Sequence, residues 1–292
     1  MSLIWGIPYL FIRVAVGELS PATVVFARTG IAAVILLPIA LLRTDYRTVL
    51  KHWRWVAAFA IAEMGIPWVL LGTAEQQITS SLAGLLVAGV PLVATVLAVV
   101  TGGRDRVGAS GIAGLLVGLL GVAAIVGVNL GSSSPAAFLE VAVVVLGYAI
   151  GPAILARRLS GMSNVAVMAF SLTLCAVIYA PVALLQRPAT IPSAGALGAV
   201  AVLGLVCTAA AFLLFWELID VVGPVRSTVV TYFNPAVAAL LGIVVLNESF
   251  TPVMAAGFGL VIMGSVLATR PAGAASAEEP TRPSEQLDRA VS

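Results

Sequence analysis

Polar and apolar residues are segregated into long blocks along this chain. Ten mostly apolar runs cover 3–17, 22–42, 53–73, 79–100, 109–128, 137–156, 165–185, 195–217, 224–245 and 252–269. Most approach the length of about 20 residues that a helix needs to cross a hydrocarbon layer about 30 Å thick. The joints hold turn-formers or charge: Glu18-Leu-Ser-Pro21, Arg43-Thr-Asp-Tyr-Arg47, Gly102-Gly-Arg-Asp-Arg106, Gly131-Ser-Ser-Ser-Pro135 and Arg187-Pro188. A membrane β-barrel would alternate apolar and polar residues in shorter stretches, and runs such as Leu115–Val128 do not alternate. The pattern predicts an all-α integral membrane protein with ten transmembrane helices. The first run has 15 residues, contains Arg13 and begins almost at Met1 with nothing basic before it. It lacks the n-region of a secretory signal. We read it as a helix with a truncated start, a short or tilted helix being the alternative.

Composition agrees with this pattern. The chain of 292 residues is 61% hydrophobic and 10% charged, against about 45–50% and about 25% in soluble domains. Residues 270–292 depart from this composition, being rich in Pro, Ala, Ser and charge, and read as a disordered cytoplasmic tail. Placing both termini inside puts Arg43, Arg47, Lys51, Arg54, Arg104, Arg106, Arg157, Arg158, Arg226, Arg270, Arg282 and Arg289 on the inner side and only Arg187 on the outer. That asymmetry is the positive-inside pattern of a multi-pass membrane protein with both termini cytoplasmic, and the expected location is the plasma (bacterial inner) membrane.

The two halves resemble each other at a nearly constant offset. Pro91 and Pro235 are 144 residues apart, as are Arg13 and Arg157; Pro38 and Pro181, Gly114 and Gly257, and Gly121 and Gly264 are 143 apart. Five spans per half is an odd number, so the second copy is inverted in the membrane. Two inverted five-helix repeats are an architecture of secondary transporters, with the substrate site near the midplane between the halves. The repeats are expected at 1–130 and 131–269.

The stretch from Tyr232-Phe-Asn-Pro235 to Leu246-Asn-Glu248, followed by Gly257 and Gly264, resembles the EamA family of the drug/metabolite transporter superfamily. The first half carries a weaker copy in Pro91, Arg104-Asp-Arg106, Gly114 and Gly121, and the Trp5-Gly6 opening and Arg28 also fit. Arg104 stands where the second repeat has Glu248, so that acidic position is not doubled. The resemblance implies a ten-helix carrier without an ATPase, usually an exporter of amino acids or other small metabolites.

Few groups are available for chemistry. The net charge of +2 is too small and too scattered for a nucleic-acid groove. Cys175 and Cys207 lie in apolar runs, and His52 is the only histidine. No phosphate-binding GxxxxGK[ST] loop, HExxH or Cys/His cluster is present. We expect no enzyme, metal or cofactor.

Ionisable side chains deep in a bilayer cost about 2.5–3.5 kcal/mol each on insertion scales. Glu63 sits at the centre of its run, too far from either end to snorkel. It binds a substrate ammonium or a coupling proton, or it is a structural partner for Arg28 or a neighbouring helix. Arg28 recognises a carboxylate, or holds the fold or an interface; Arg13 is closer to an interface and reads as structural. Pro91 and Pro235 are mid-helix kinks that form the site or serve ordinary packing. Tyr148, Thr208, Tyr232 and Asn234 are placed at mid-depth, as cavity lining or interhelical hydrogen bonds, and Tyr9 is a further cavity candidate. Trp53, Trp55 and Trp216 read as interface anchors, and Glu75, Gln76 and Gln77 as a solvated loop. Gly111, Gly114, Gly118 and Gly121 form a smooth stripe for helix packing within the carrier or for dimerisation.

The expected function is a secondary transporter that exports a small metabolite, an amino acid or related compound, by alternating access. Its partners would be the substrate, the lipid bilayer and a coupling proton, in a monomer or homodimer. A drug or cation efflux carrier is the alternative within the class; a polytopic membrane enzyme is the alternative outside it.

Overall fold

The helices start where short polar side chains meet proline or small residues. Ser20, Thr79, Ser134, Ser163, Ser193 and Thr251 each accept a hydrogen bond from a backbone N–H in the helix that follows. These oxygens satisfy first-turn donors that have no intrahelical partner. Proline follows directly at Pro21, Pro135 and Pro252, where its fixed φ suits the first helical turn.

The computed structural model describes residues 1–101, 108–131, 133–222 and 230–269. Among them every regular element is helical: α1 Ser2–Ala15, α2 Pro21–Arg43, α3 Trp53–Glu75, α4 Ser80–Val100, α5 Ala109–Asn129, α6 Pro135–Arg158, α7 Asn164–Leu185, α8 Ala194–Phe215 continuing to Val222, α9 Val230–Leu246 and α10 Pro252–Ala268. A one-and-a-half-turn helix, Tyr46–Lys51, precedes α3. Seven of these, α2 to α8, are long and apolar enough to cross a membrane; α1, α9 and α10 are shorter apolar helices. The expected tail, the Arg104 loop and Arg226 lie outside the described residues.

Two helices are not α-helical throughout. Within α3, Ile61–Gly65 forms a π turn, and within α8, Leu205–Ala210 forms another. The two begin 144 residues apart, the offset already seen between the halves. A third helix, α4, is interrupted at Ala88-Gly89, with Pro91 in the first turn of its second segment, Val90–Val100. Pro235, by contrast, lies within unbroken α9.

Packing follows the small residues. The glycine stripe of α5 lies against α10: a Cβ at Gly114 would stand 2.6 Å from Ala268 N, and one at Gly121 2.6 Å from Gly257 O. The obstacles are backbone atoms, so no side chain larger than hydrogen fits without moving a helix. The stripe is therefore filled inside the chain, by α10 at Gly114 and Gly121 and by Leu92 of α4 at Gly118.

α2 packs along α7, and α1 packs against α8 and α9. One apolar cluster joins α1 to the second half of α3, the first half of α4 and α9, and another joins α2 to the first half of α3 and α7. Tyr148 of α6 packs against both. Outward faces carry exposed Val34, Leu42, Leu120, Leu139 and Leu185, a surface suited to lipid.

Candidate functional site

Arg28 enters the interior from α2. Its side chain is buried, and a buried guanidinium needs its donors and charge answered. Nε donates to Thr208 Oγ1 at 2.8 Å, and the guanidinium carbon lies 3.7 Å from the centroid of the Trp68 ring on α3. Cation–π contact of this kind is worth about 2 kcal/mol when desolvated. Thr208 itself sits in the π turn of α8 and donates to Leu203 O at 2.7 Å. One hydroxyl thus ties the arginine to the irregular turn.

Glu63 sits in the matching π turn of α3. Its Oε2 is buried and accepts no hydrogen bond. The carboxylate is pressed against α6 at Gly151, where a Cβ would stand 2.9 Å from Glu63 Cβ, so only glycine leaves room. The surrounding carbonyls of the turn are answered: Tyr179 Oη donates to Gly65 O at 2.9 Å, and Cys175 Sγ donates to Ala60 O at 3.6 Å. Leaving one buried carboxylate oxygen without a donor costs about 1–3 kcal/mol, more if it is charged. Tyr148 of α6 lies in electrostatic range of both Glu63 and Arg28, and Tyr9 of α1 in range of Tyr148 and Arg28.

The helix ends beside Glu18 and Glu248 are cross-linked by polar contacts. The Glu248 carboxylate accepts from the Ser80 and Ser81 amides at 2.8 and 2.9 Å and from their hydroxyls at 3.0 and 2.6 Å. A carboxylate at a helix N-terminus also meets the favourable end of the helix dipole. Glu18 accepts from the Ser193 amide and hydroxyl at 2.7 and 2.5 Å, bonds that hold its carboxyl below the usual carboxylate range. Arg13 Nη1 donates to Glu75 O, the structural role expected of it.

Residues 1–127 and 136–270 each match the EamA-like transporter family. The chain belongs to that family. It is 25% identical over 273 residues to the uncharacterized inner membrane transporter YedA of Escherichia coli strain K12, covering 92% of this chain and 88% of that one. It is also 25% identical over 270 residues to an uncharacterized transporter of Archaeoglobus fulgidus, covering 91% and 95%. A solved crystal structure of a protein shares the fold with a TM-score of 0.63 at 21% identity, over 92% of this chain and 93% of that one. The EamA-like family and these relatives point to a membrane transporter rather than an enzyme.

For this EamA-like protein the structure brings together Arg28, Thr208, Tyr9, Tyr148 and Glu63 from the residues named in the sequence. Asn234 lies on α9 with its carbonyl against α1, 2.9 Å from where a Cβ on Gly6 would stand. Tyr232 stands apart: its hydroxyl is 3.3 Å from Thr269 Oγ1, just past the end of α10, so it is at a helix end rather than at mid-depth.

Glu75 needs a second correction. It is fully buried at 0% exposure, not part of a solvated loop, whereas Gln76 and Gln77 are exposed. α3 continues to Glu75 and buries that side chain in the bundle, with Arg13 of α1 donating to the Glu75 backbone carbonyl. Trp68 was not singled out from the sequence; its signal was an aromatic residue deep in a span, five residues after Glu63. An apolar groove of about 370 Å³ between α2 and α7, lined by Phe26, Gly30, Leu37, Pro38, Thr173 and Val177 among others, carries no ionisable group.

Proposed function

We propose that this chain is a secondary carrier of the bacterial inner membrane that exports a small zwitterionic metabolite, an amino acid or related compound, by alternating access. The observation that carries this reading is a pair of opposite buried charges not satisfied by each other. Arg28 is held by Thr208 and Trp68, and Glu63 keeps a carboxylate oxygen without any donor. An α-carboxylate suits the remaining guanidinium donors, and an α-ammonium, or a proton driving exchange, suits Glu63.

The packing supports ten spans in two inverted repeats at 1–130 and 131–269. α5 lies on α10, α2 on α7 and the first half of α4 on α9, each helix on its counterpart five positions on. α1 rests on α8 and α9 as α6 rests on α3 and α4, the same relation with the halves exchanged. The relatives named as transporters and the charge asymmetry support an inner-membrane protein with both termini cytoplasmic.

The test is a panel of amino acids, other metabolites and organic cations offered to reconstituted protein, with and without a pH gradient. Movement of an amino acid that is lost in Glu63→Gln and Arg28→Ala supports the reading; movement of no solute under any gradient overturns it. A second reading has its own support, because Arg28 already has partners and leaves Glu63 as the open group. It is efflux of cations or drugs, and it predicts transport of organic cations that survives Arg28→Ala.

A further inference from the structure

The site described above does not use the buried acid Glu75. Glu75 ends α3 a little over three turns beyond Glu63 and is 0% exposed, and both of its carboxylate oxygens lack a hydrogen-bond partner. The nearby Arg13 of α1 donates from Nη1 to the Glu75 backbone carbonyl, and neither carboxylate oxygen receives a hydrogen bond from it. The serine donors at the start of α4 do not answer it either, because Glu248 takes the amides and hydroxyls of Ser80 and Ser81.

The groups facing Glu75 are few. Arg13 and Tyr9 come from α1, Tyr148 from α6 and Glu248 from the segment before α10. The adjoining first turns of α2, Pro21-Ala-Thr-Val24, and of α4, Ser80-Ser-Leu-Ala83, bring no charged side chain. A second acid, two phenols and one guanidinium are its ionisable neighbours, and its carboxylate oxygens accept a hydrogen bond from none of them. A bare carboxylate is poorly kept there, and one O–H bond resolves the mismatch.

We propose that Glu75 is a proton-binding site that loads and unloads during transport, facing the end of the bundle that carries Glu18 and Glu248. Tyr148 packs against both apolar clusters, which between them hold the two halves of the helix that carries Glu63 and Glu75. The carboxylate takes a proton from water at that end, forming one O–H bond, and returns it to water when the bond breaks; no other bond changes. This rests on the carrier reading for its place in a cycle, but the protonation itself does not need a substrate.

The experiment is infrared difference spectroscopy on the full chain in lipid nanodiscs, titrated between about pH 5 and about pH 9. The probe is the carbonyl stretch of protonated carboxyl groups, in wild type, Glu75→Gln, Glu75→Asp and Glu63→Gln. Expected is a wild-type band that fades as pH rises, is absent in Glu75→Gln, persists in Glu63→Gln and shifts in frequency in Glu75→Asp. If Glu75→Gln does not fold, the Glu75→Asp shift decides alone. A Glu75→Gln spectrum that superimposes on wild type, an unshifted Glu75→Asp band, or a Glu75 band constant across the titration overturns the proposal. Failure of the metabolite panel would sink the carrier reading while leaving this band to be read.

Discussion

At the scale of single residues, Thr208 is the most exposed to test. It accepts from Arg28 and donates to Leu203 O, so Thr208→Val strips the guanidinium of an acceptor inside the bundle. Loss of a hydrogen bond to a charged group costs about 1.5–3 kcal/mol. We expect a lower melting temperature in detergent for Thr208→Val and recovery in Thr208→Ser. Glu63→Gln should behave in the opposite way. It removes a charge whose Oε2 has no donor, so stability is kept or raised while transport is lost. Melting curves alongside uptake measurements separate the two substitutions. Glu63, Arg28 and Tyr148 were legible in the sequence because a charge or a phenol deep in an apolar run is conspicuous. Trp68 was not, since an indole among apolar residues carries no contrast. Glu75 was misread because its place at a span end depends on one further helical turn and on the rotation of that turn toward α1, neither of which apolar patterning fixes.

At the scale of elements, the loops do more than connect. Glu248 replaces a missing partner at the start of α4, and Gly242 sits beneath it, its carbonyl accepting from Glu248 N at 3.0 Å. Glu248→Ala should lower stability by about 0.5–2 kcal/mol, the usual range for losing a helix cap, read as a shifted denaturation midpoint. Glu18 gives a pH signature. Ser193 depresses its pKa, so its bond is present above the unfolded carboxyl pKa of about 4.3 and is lost as pH falls through the lower folded value. The difference in melting temperature between wild type and Glu18→Gln should therefore hold at neutral pH and vanish only in strong acid. On α10, Gly264→Val drives a side chain into the backbone of α5, an overpacking that costs about 1–3 kcal/mol. The positions of these helices were readable from apolar runs to within a few residues. Their Ser/Thr caps and the π turns were not, because a π turn leaves composition unchanged.

At the scale of the whole molecule, the offset between the halves is written in prolines, in glycines and in backbone geometry. Reporter fusions at residue 292 and in the Arg187 loop test the orientation: activity of a cytoplasmic reporter at the first and of an exported reporter at the second is expected, and the reverse would overturn it. The two π turns have a mechanical consequence. Each is a helix carrying one residue more than its winding needs, and such a surplus acts as a dislocation that can be removed or moved. Deleting one residue from Ile61–Gly65 would restore regular winding with the two ends still in phase, whereas rewinding it as regular α-helix with the same number of residues would swing one part of α3 about 100° relative to the other. Glu63 and Trp68 would then no longer address the same neighbours. The same rewinding of Leu205–Ala210 would turn Thr208 away from Arg28. The angular phase between the two ends of α3, and of α8, is thus set by a single residue apiece.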